Sequence, residues 1–311
     1  MEVPPWVWWT FGCGFIGLLF VDGLGRRKGT ALSLREAGLW TAWWVALALG
    51  FGIVMLLWQG AGPAGEYFTG YLIEYSLSVD NMFVFALIFS YFAVPAEQQG
   101  RALFWGIALA LVLRAALIFA GAALLHEFHW IIYVFGAFLV VTGVRMVRHT
   151  GEVEPERNPV LKIVRRALPM TDTYDGDKFL TRASGRLGAT PMVAVLATIA
   201  PVDLVFALDS IPAIFAVTQD TFIVLTSNAF ALLGLRSLYF MLAGVMERFT
   251  YLKYGLAAIL VFVGLKMISE DILEVPVWAS LCFIALTLFV TIAISLKRTA
   301  SKDEREVEKA G

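Results

Sequence analysis

Charged residues are scarce in this sequence. Asp, Glu, Lys and Arg make up only 16% of its 311 residues, whereas soluble domains carry about 25%. The 24 basic and 25 acidic residues give a net charge of −1, which leaves no electrostatic basis for binding nucleic acid. This composition excludes an ordinary cytosolic enzyme.

Motifs that carry enzyme chemistry are also missing. The chain has two cysteines and three histidines, and the positions of Cys13 and Cys282 fit neither a disulfide framework nor a zinc site. No phosphate-binding loop, HExxH, CxxC or serine nucleophile motif occurs. We therefore expect no enzymatic activity, no resident cofactor and no ATP-driven pump. No Lys or Arg precedes the first apolar run, so we expect that run to be retained rather than cleaved as a signal peptide.

Apolar residues are abundant instead. They form 59% of the chain, and the mean hydropathy is +0.76. Because a helix of about 20 residues crosses the hydrocarbon core, these runs predict an all-α, polytopic protein of the lipid bilayer with about nine transmembrane helices. The predicted segments lie near residues 6–24, 38–58, 66–93, 102–124, 130–147, 191–217, 222–246, 254–268 and 276–296.

Basic residues predict the orientation, since cytoplasmic loops hold an excess of Lys and Arg. They concentrate in the first connection, in a connector of residues 149–190 and in a tail of residues 297–311. With nine spans, these regions share one side of the membrane. We therefore predict a plasma (inner) membrane protein with its N-terminus outside and its C-terminus in the cytoplasm.

Two blocks of the sequence resemble each other. Residues 139–146 read LVVTGVRM and residues 260–267 read LVFVGLKM, each at the end of three predicted helices. Earlier in each block, an acid is followed six residues later by an Asp and a small polar residue. Because three spans are an odd number, the second block must be inverted relative to the first, as in many secondary transporters. The predicted division is 1–64 (two helices), 65–148 (first repeat), 149–190 (connector), 191–269 (inverted repeat), 270–296 (last helix) and 297–311 (tail).

The acids of these motifs lie within apolar runs, where an ionised carboxylate costs about 2.5–3.5 kcal/mol on insertion scales. They are Glu74, Asp80, Asp203 and Asp209. Arg114 and Arg236 are predicted to compensate part of this charge. The excess of two negative charges can be balanced by a divalent cation or by two protons. A set of buried ion pairs that binds no ion is the competing interpretation.

Helix geometry places Glu74 and Asn81 on one face, and Asp203 and Ser210 on the corresponding face of the second block. Pro201 and Pro212, about three turns apart in the second block, are expected to kink or locally unwind their helix. Freed carbonyls beside carboxylates, an amide and a hydroxyl suit hard cations such as Mg²⁺, Ca²⁺ or Mn²⁺.

The candidate site follows from these patterns. The predicted metal ligands are Glu74, Asp80, Asn81, Asp203, Asp209 and Ser210, and the predicted charge-compensating or gating residues are Arg114, Arg236, Asp22 and Asn228.

The stretches EYSLSVDNMFVF, from Glu74, and DLVFALDSIPAIFAVTQDTFIVLTSNAFALLGLRSLYF, from Asp203, resemble the two signature stretches of the TerC family of integral membrane proteins. The resemblance extends from Tyr67 to Met267 and includes TDTYDGDKF and TPM near the end of the connector. It implies a multi-spanning transporter of a family named for tellurium resistance, with members linked to Mn²⁺ export, and it matches the six predicted ligands to the family's two acidic motifs. The family pattern has a glutamate at the position of Ala200, and the missing acid puts affinity, ion preference or proton coupling in question.

Three classes of function follow. The first is export of a divalent cation, most simply Mn²⁺, by alternating access, with proton coupling and a homo-oligomer left open. The second is a non-transporting membrane factor in tellurite or metal stress or in membrane protein assembly. An intramembrane enzyme ranks last, because the sequence offers no nucleophile.

Overall fold

The computed structural model describes residues 3–24, 33–128, 130–148, 161–162, 171, 174–176, 178–183, 186–242, 252–269, 272 and 275–310. Within that part of the chain it contains ten helices and a two-stranded sheet. In chain order these are α1 (Pro5–Leu24), α2 (Leu34–Gln59), α3 (Ala61–Tyr91), α4 (Ala96–Glu127), α5 (Ile131–Arg148), β1 (Leu180–Ala183), β2 (Arg186–Ala189), α6 (Pro191–Phe215), α7 (Thr221–Leu232), α8 (Leu235–Leu242), α9 (Leu252–Ile268) and α10 (Val277–Ala310).

The predicted class, an all-α polytopic membrane protein, is confirmed. Among the described residues, six helices are long and apolar enough to cross a membrane, and α7 with α8 makes a seventh if the bent pair is one span. α5 and α9 are shorter, at 18 and 17 residues, so the count of nine stays a prediction. Leu57 and Phe289 are 83% and 71% exposed, as expected of side chains that face lipid rather than water.

Local side-chain chemistry sets several helix ends. Ser33 and Glu36 form a capping box at the start of α2, each side chain accepting a hydrogen bond from the other residue's N–H group. Gly60 alone separates α2 from α3, and its φ of +90° lies in the region that favours glycine. Asp220 caps α7 by accepting hydrogen bonds from two N–H groups of its first turn, at 2.9 and 3.3 Å.

Helix continuity differs from the prediction in two places. α6 is a continuous helix through Pro201 and Pro212, so the local unwinding is absent and the kink stays a prediction. Helices packed around a transmembrane proline can compensate for its missing hydrogen bond. The segment predicted as one helix is instead broken between α7 and α8, which meet at a bend of 41°. Gly234 forms the break with a φ of +85°. A Cβ there would lie 2.7 Å from Trp44 Cβ of α2, so both conformation and space require glycine.

Four helices form the centre of the bundle. α3 packs against α7, α4 packs against α6, and α3 also contacts α6. α5 and α9 pack together, α2 covers α3 and α8, and α10 covers α3 and α9. An aromatic cluster that includes Trp44 and Tyr67 joins α1, α2, α3 and α7. The site described below lies where α3, α4 and α6 meet.

α5 and α9 approach each other at their backbones. A Cβ on Gly136 would lie 2.8 Å from the carbonyl oxygen of Gly264, and a Cβ on Gly264 would lie 2.6 Å from that of Gly136. Further along α5, a Cβ on Gly143 would lie 2.8 Å from the carbonyl oxygen of Ala257. The partner numbers fall along α9 as they rise along α5, so the two helices are antiparallel. Small residues permit such close packing of helices in a membrane.

The described part of the connector contains a β-hairpin, which the all-α prediction missed. β1 and β2 pair antiparallel, with Leu180 opposite Ala189. Four-residue strands that include charged side chains offer too little alternation for a sequence signal. Just before β1, hydrogen bonds from Thr181 and Lys178 hold the pKa of the exposed Asp175 carboxyl below its usual range.

This hairpin segment is docked on the ends of α3 and α4. The Tyr174 hydroxyl donates a hydrogen bond to the carbonyl oxygen of Phe92 at 2.8 Å. Burial raises the pKa of Tyr174 to about 12, so the hydroxyl keeps its proton at physiological pH. The ring of Phe179 lies 5.8 Å from that of Trp105, centroid to centroid, and 5.2 Å from the guanidinium carbon of Arg101.

We expect Gly264→Ala to destabilise the protein, because the added methyl group would meet the α5 backbone. Overpacking of this kind costs about 1–3 kcal/mol. A Cβ on Gly50 in α2 meets nothing within 4 Å, so Gly50→Ala is a matched control that should keep or raise the melting temperature. Thermal melting of the purified protein in detergent, followed by size-exclusion chromatography, compares them. Equal melting temperatures for both variants would contradict the close contact.

We expect Tyr174→Phe to loosen the hairpin, because it removes a hydrogen bond worth about 1 kcal/mol. Limited digestion with a nonspecific protease should then cleave the connector faster and leave the helical bundle intact. Lys178→Ala is the control, because its ion pair with Asp175, at 3.1 Å, is exposed and such pairs contribute about 0–1 kcal/mol. A cleavage rate for Tyr174→Phe no faster than that of the control would argue against the docking contact.

Candidate functional site

Arg114, in the middle of α4, is fully buried and binds acids from both blocks of the chain. Its Nε and Nη2 atoms donate to the two carboxylate oxygens of Asp203 on α6, at 3.0 and 3.1 Å. Its Nη1 atom donates to Glu74 Oε1 on α3 and, at 3.2 Å, to Ser210 Oγ on α6. We call these four residues the arginine cluster, and through it one guanidinium connects α3, α4 and α6.

Helix periodicity explains why these side chains meet. Asp203 and Ser210 are seven residues apart, which places them on one face of α6. Ser78 lies one turn after Glu74 on α3, and its hydroxyl donates to Glu74 Oε1 at 3.4 Å. Asn81 is buried further along the same face. The polar faces predicted for the two motifs therefore do face the same region of the bundle.

The arginine cluster has an excess of negative charge and an open acceptor. Its two carboxylates and one guanidinium sum to a formal charge of −1 when all are ionised. Glu74 Oε2 is buried and has no hydrogen-bond partner among the described residues. A buried acceptor without a partner costs free energy, so this oxygen is a position at which a cation, a proton or a water molecule would be stabilised.

The second acid of each motif lies apart from the arginine cluster. Asp209 is partly buried on α6, and its carboxylate accepts a hydrogen bond from Thr142 of α5. A one-residue step on a helix turns a side chain by about 100°, so Asp209 faces α5 while Ser210 faces α4. Asp80 belongs to α3, but its side chain lies outside the described residues.

Arg236, the second predicted arginine, contacts none of the described acids of the two motifs and pairs instead with Asp22. It lies on α8, and its Nε atom is 3.4 Å from Oδ2 of Asp22 at the end of α1. Its Nη2 atom also donates to the carbonyl oxygen of Asp22, one of the last-turn carbonyls that a helix leaves without a partner. Because of the bend at Gly234, α8 runs in a different direction from α7. Arg236 on α8 therefore contacts the end of α1 rather than the arginine cluster.

Asn228, the remaining candidate, is buried on α7 at 1% exposure. Its Nδ2 atom has no hydrogen-bond partner in the described part of the structure. Its neighbour Ser227 lies against α3, where a Cβ on Gly70 would be 2.9 Å from Ser227 Oγ. Gly70 is one turn before Glu74, so Asn228 adds a buried donor to the helix that packs beside the Glu74 face.

The donor set suits a hard cation, but the arrangement is not a preformed metal site. Among the described residues, no group of three or more His, Cys, Asp and Glu side chains lies together. Glu74 and Asp203 offer carboxylates, with the hydroxyls of Ser78 and Ser210 beside them, and oxygen donors are what Mg²⁺, Ca²⁺ and Mn²⁺ prefer. Both carboxylates are bound to Arg114 here. A cation held by both would require the guanidinium to move away.

Sequence patterns missed two contacts of this region. Thr142 was not identified as a partner of Asp209, although it is the one hydroxyl residue in LVVTGVRM. A polar residue at that position in an otherwise apolar run was the available signal. The close approach of Gly70 to Ser227 had no signal, because a glycine in an apolar helix does not reveal which neighbour it touches.

These features define a polytopic membrane protein with an acid–arginine cluster buried between two blocks of helices. Residues 59–303 match the model of the integral membrane protein TerC family, and the chain belongs to that family. The resemblance seen in the two acidic stretches is thereby confirmed.

Similar proteins cover nearly the whole chain. It is 50% identical over 294 residues to the membrane protein STKORF319 of Myxococcus xanthus, which covers 94% of this chain and 92% of that protein. It is 45% identical over 315 residues, or 98% of both chains, to Alx of Escherichia coli O6:H1, whose name gives a proposed role as a membrane-bound redox modulator. A membrane protein of Rickettsia felis is 39% identical over 294 residues, 94% of this chain and 98% of that protein. No solved structure matches the chain.

We expect Asp203→Asn to lower the melting temperature more than Glu74→Gln. Asp203 accepts two hydrogen bonds from Arg114 and Glu74 accepts one, and removing a partner from a buried ion pair costs about 3–5 kcal/mol. Glu97→Gln is the control, because Glu97 is exposed at the start of α4. Thermal melting in detergent measures the order. A larger effect of Glu74→Gln would show that Asp203 is not the main anchor of Arg114.

Proposed function

We propose that this protein carries a divalent metal cation, Mn²⁺ first among the candidates, across the membrane by alternating access. The observation that carries the proposal is the arginine cluster, in which Glu74 of one block and Asp203 of the other share one buried counter-ion. Ionisable groups inside membrane spans are costly and are characteristic of ion and proton pathways. A site between two halves, reached alternately from each side, suits this placement.

The packing supports an inverted repeat around this site. Gly70 and Ile199 each lie four residues before the first acid of their motif. Each packs against a residue of the other block. Gly70 contacts Ser227, and a Cβ on Gly106 would lie 3.1 Å from Ile199. Gly106 is eight residues before Arg114, and Ser227 is nine residues before Arg236, the corresponding arginine in α8. The one extra residue falls in the segment that contains the bend between α7 and α8. Exchanging the two blocks therefore exchanges these contacts.

The antiparallel pair of α5 and α9 supports the same symmetry. Gly143 and Gly264 occupy the same place in the repeated octapeptides, and Gly136 and Ala257 each lie seven residues earlier. The contacts of Gly136 with Gly264 and of Gly143 with Ala257 are thus exchanged when the blocks are exchanged, and each gives a Cβ-to-carbonyl distance of 2.8 Å. Equivalent helices that run antiparallel are what an inverted repeat requires.

The identity of the cation and the direction of transport rest on the family. The TerC resemblance favours Mn²⁺ and export, and the oxygen donors of the two motifs, with Asp80, Asn81 and Asp209 as further ligands along the path, suit a hard cation. The distribution of Lys and Arg supports a plasma membrane location with the N-terminus outside. Proton coupling follows if the carboxylates take up protons when the cation leaves.

Redox modulation, the role in the name of the E. coli relative, would act apart from the arginine cluster in this chain. Its two thiols, Cys13 on α1 and Cys282 on α10, are exposed and unpaired. A non-transporting role in membrane stress or assembly draws support from the docked hairpin, which offers a folded surface outside the spans. That role predicts that variants of the hairpin lose function while amide variants of the buried acids keep it.

The test is Mn²⁺ flux into proteoliposomes that enclose a Mn²⁺-sensitive dye. Asp203→Asn and Asp209→Asn should each slow the flux at least about tenfold, equivalent to about 1.4 kcal/mol, because each removes a negative charge from the path. Glu97→Gln changes an exposed acid and should transport like the unaltered protein. Melting temperatures of the same preparations separate lost transport from lost folding.

Equal flux for the unaltered protein and folded Asp203→Asn would refute transport through the arginine cluster. In that case, loss of cellular resistance to metal or tellurite stress in Tyr174→Phe, but not in Asp203→Asn, would favour the non-transporting role.

A further inference from the structure

We infer that Arg114 is a tethered competitor of the transported cation: its guanidinium and the cation occupy Glu74 and Asp203 in turn. This inference rests on the proposed function and assigns a role to a residue that would not itself bind the metal. It follows from which atoms the guanidinium occupies, from the charge it supplies and from the one carboxylate oxygen it leaves open.

The guanidinium occupies the position that a bridging cation would need. Its Nε and Nη2 atoms donate hydrogen bonds to both carboxylate oxygens of Asp203, and its Nη1 atom donates to Glu74 Oε1 and Ser210 Oγ. A divalent cation bound to the same carboxylates would lie next to a like charge in a low-dielectric interior. The two cations therefore exclude each other, and binding of the metal requires displacement of the arginine.

The covalent attachment of Arg114 to α4 explains how the metal-free protein could change conformation and expose its site to the other side of the membrane. Without a counter-ion, two carboxylates would be left bare within the spans, which is strongly unfavourable. Arg114 is part of α4 and remains available whenever the metal leaves. Competition for the same oxygens thus weakens metal binding and, at the same time, stabilises the metal-free state that must reorient.

Glu74 Oε2 gives the exchange a starting point. This oxygen is buried and unpartnered, while Oε1 of the same carboxylate is held by Arg114 and Ser78. An incoming cation can contact Oε2 before any bond of the guanidinium is broken, so displacement proceeds in steps rather than through a bare pair of acids.

Arg236 provides the matched comparison within the chain. It is the arginine at the corresponding place of the second block, but it is bound to the carboxylate and carbonyl of Asp22 at the end of α1. A general effect of removing a buried arginine would appear in both Arg114 and Arg236 variants. An effect of competition would appear only in those of Arg114.

The experiment measures Mn²⁺ binding and Mn²⁺ flux on the same full-length preparations. Binding is followed by the electron paramagnetic resonance signal of free Mn²⁺, and flux by the proteoliposome dye. We expect Arg114→Ala to bind Mn²⁺ about tenfold more tightly and to transport it more slowly, because the cation enters more easily and leaves with difficulty. Arg114→Lys should lie between, since an ammonium cannot take both oxygens of Asp203 and a second carboxylate as a guanidinium does. Arg236→Gln should leave the Kd unchanged.

Free guanidinium ion adds a second readout. At millimolar concentration it should weaken Mn²⁺ binding to Arg114→Ala, where it can enter the vacated position, and leave binding to the unaltered protein unchanged. If Arg114→Ala does not fold, Arg114→Lys decides: a lower Kd than that of the unaltered protein supports competition, and an equal or higher Kd overturns it.

The outcomes separate this inference from the proposed function. Mn²⁺ binding that is lost in the double variant Glu74→Gln, Asp203→Asn but is no tighter in folded Arg114→Ala overturns the competition and leaves the cation site in place. Binding that is the same in the double variant and in the unaltered protein removes the cation site, and the competition with it.

Discussion

A carboxylate cannot be left bare in hydrocarbon, and the centre of this molecule is arranged around that constraint. Glu74 and Asp203 come from blocks of the chain that are far apart in sequence, and both are fully or almost fully buried. One guanidinium binds both carboxylates, because it can donate hydrogen bonds to the two oxygens of one carboxylate and a further hydrogen bond to a second carboxylate. The close approach of α3 to α7 at Gly70 and of α4 to α6 at Gly106 brings the polar faces within that reach.

Arg114 and Arg236 bind different partners, and the bend between α7 and α8 accounts for the difference. α4 is continuous through Arg114, which points into the junction of the blocks. In the second block the helix breaks at Gly234, two residues before Arg236, and the separate α8 packs on α2 and reaches the end of α1. The two N-terminal helices are thereby anchored on the second block. One block thus binds an N-terminal helix while the other holds the central charge.

The sequence predicted the helices well and their partners poorly, for a physical reason. Apolar runs of sufficient length have few alternatives in a bilayer, so every predicted segment contains a helix. Helix periodicity likewise placed Asp203 with Ser210, and Glu74 with Asn81. Contacts between distant segments leave no such trace: the pairing of Arg236 with Asp22 and the hydrogen bond from Thr142 to Asp209 depend on tertiary packing. The break at Gly234 was also missed, because a glycine in an apolar run does not reveal that Trp44 packs against it.

The arginine cluster connects charge balance to the relative position of the two blocks. Arg114 belongs to the first block and makes its bidentate contact with Asp203 of the second, so the ion pair is also a link between blocks. Any process that moves one block against the other must either carry this link along or break it. Breaking it without replacement would leave three buried charges unpaired, which is far less favourable than exchanging one cation for another. In a carrier that binds its cargo at these acids, the same exchange that loads the site would therefore also release the blocks to move.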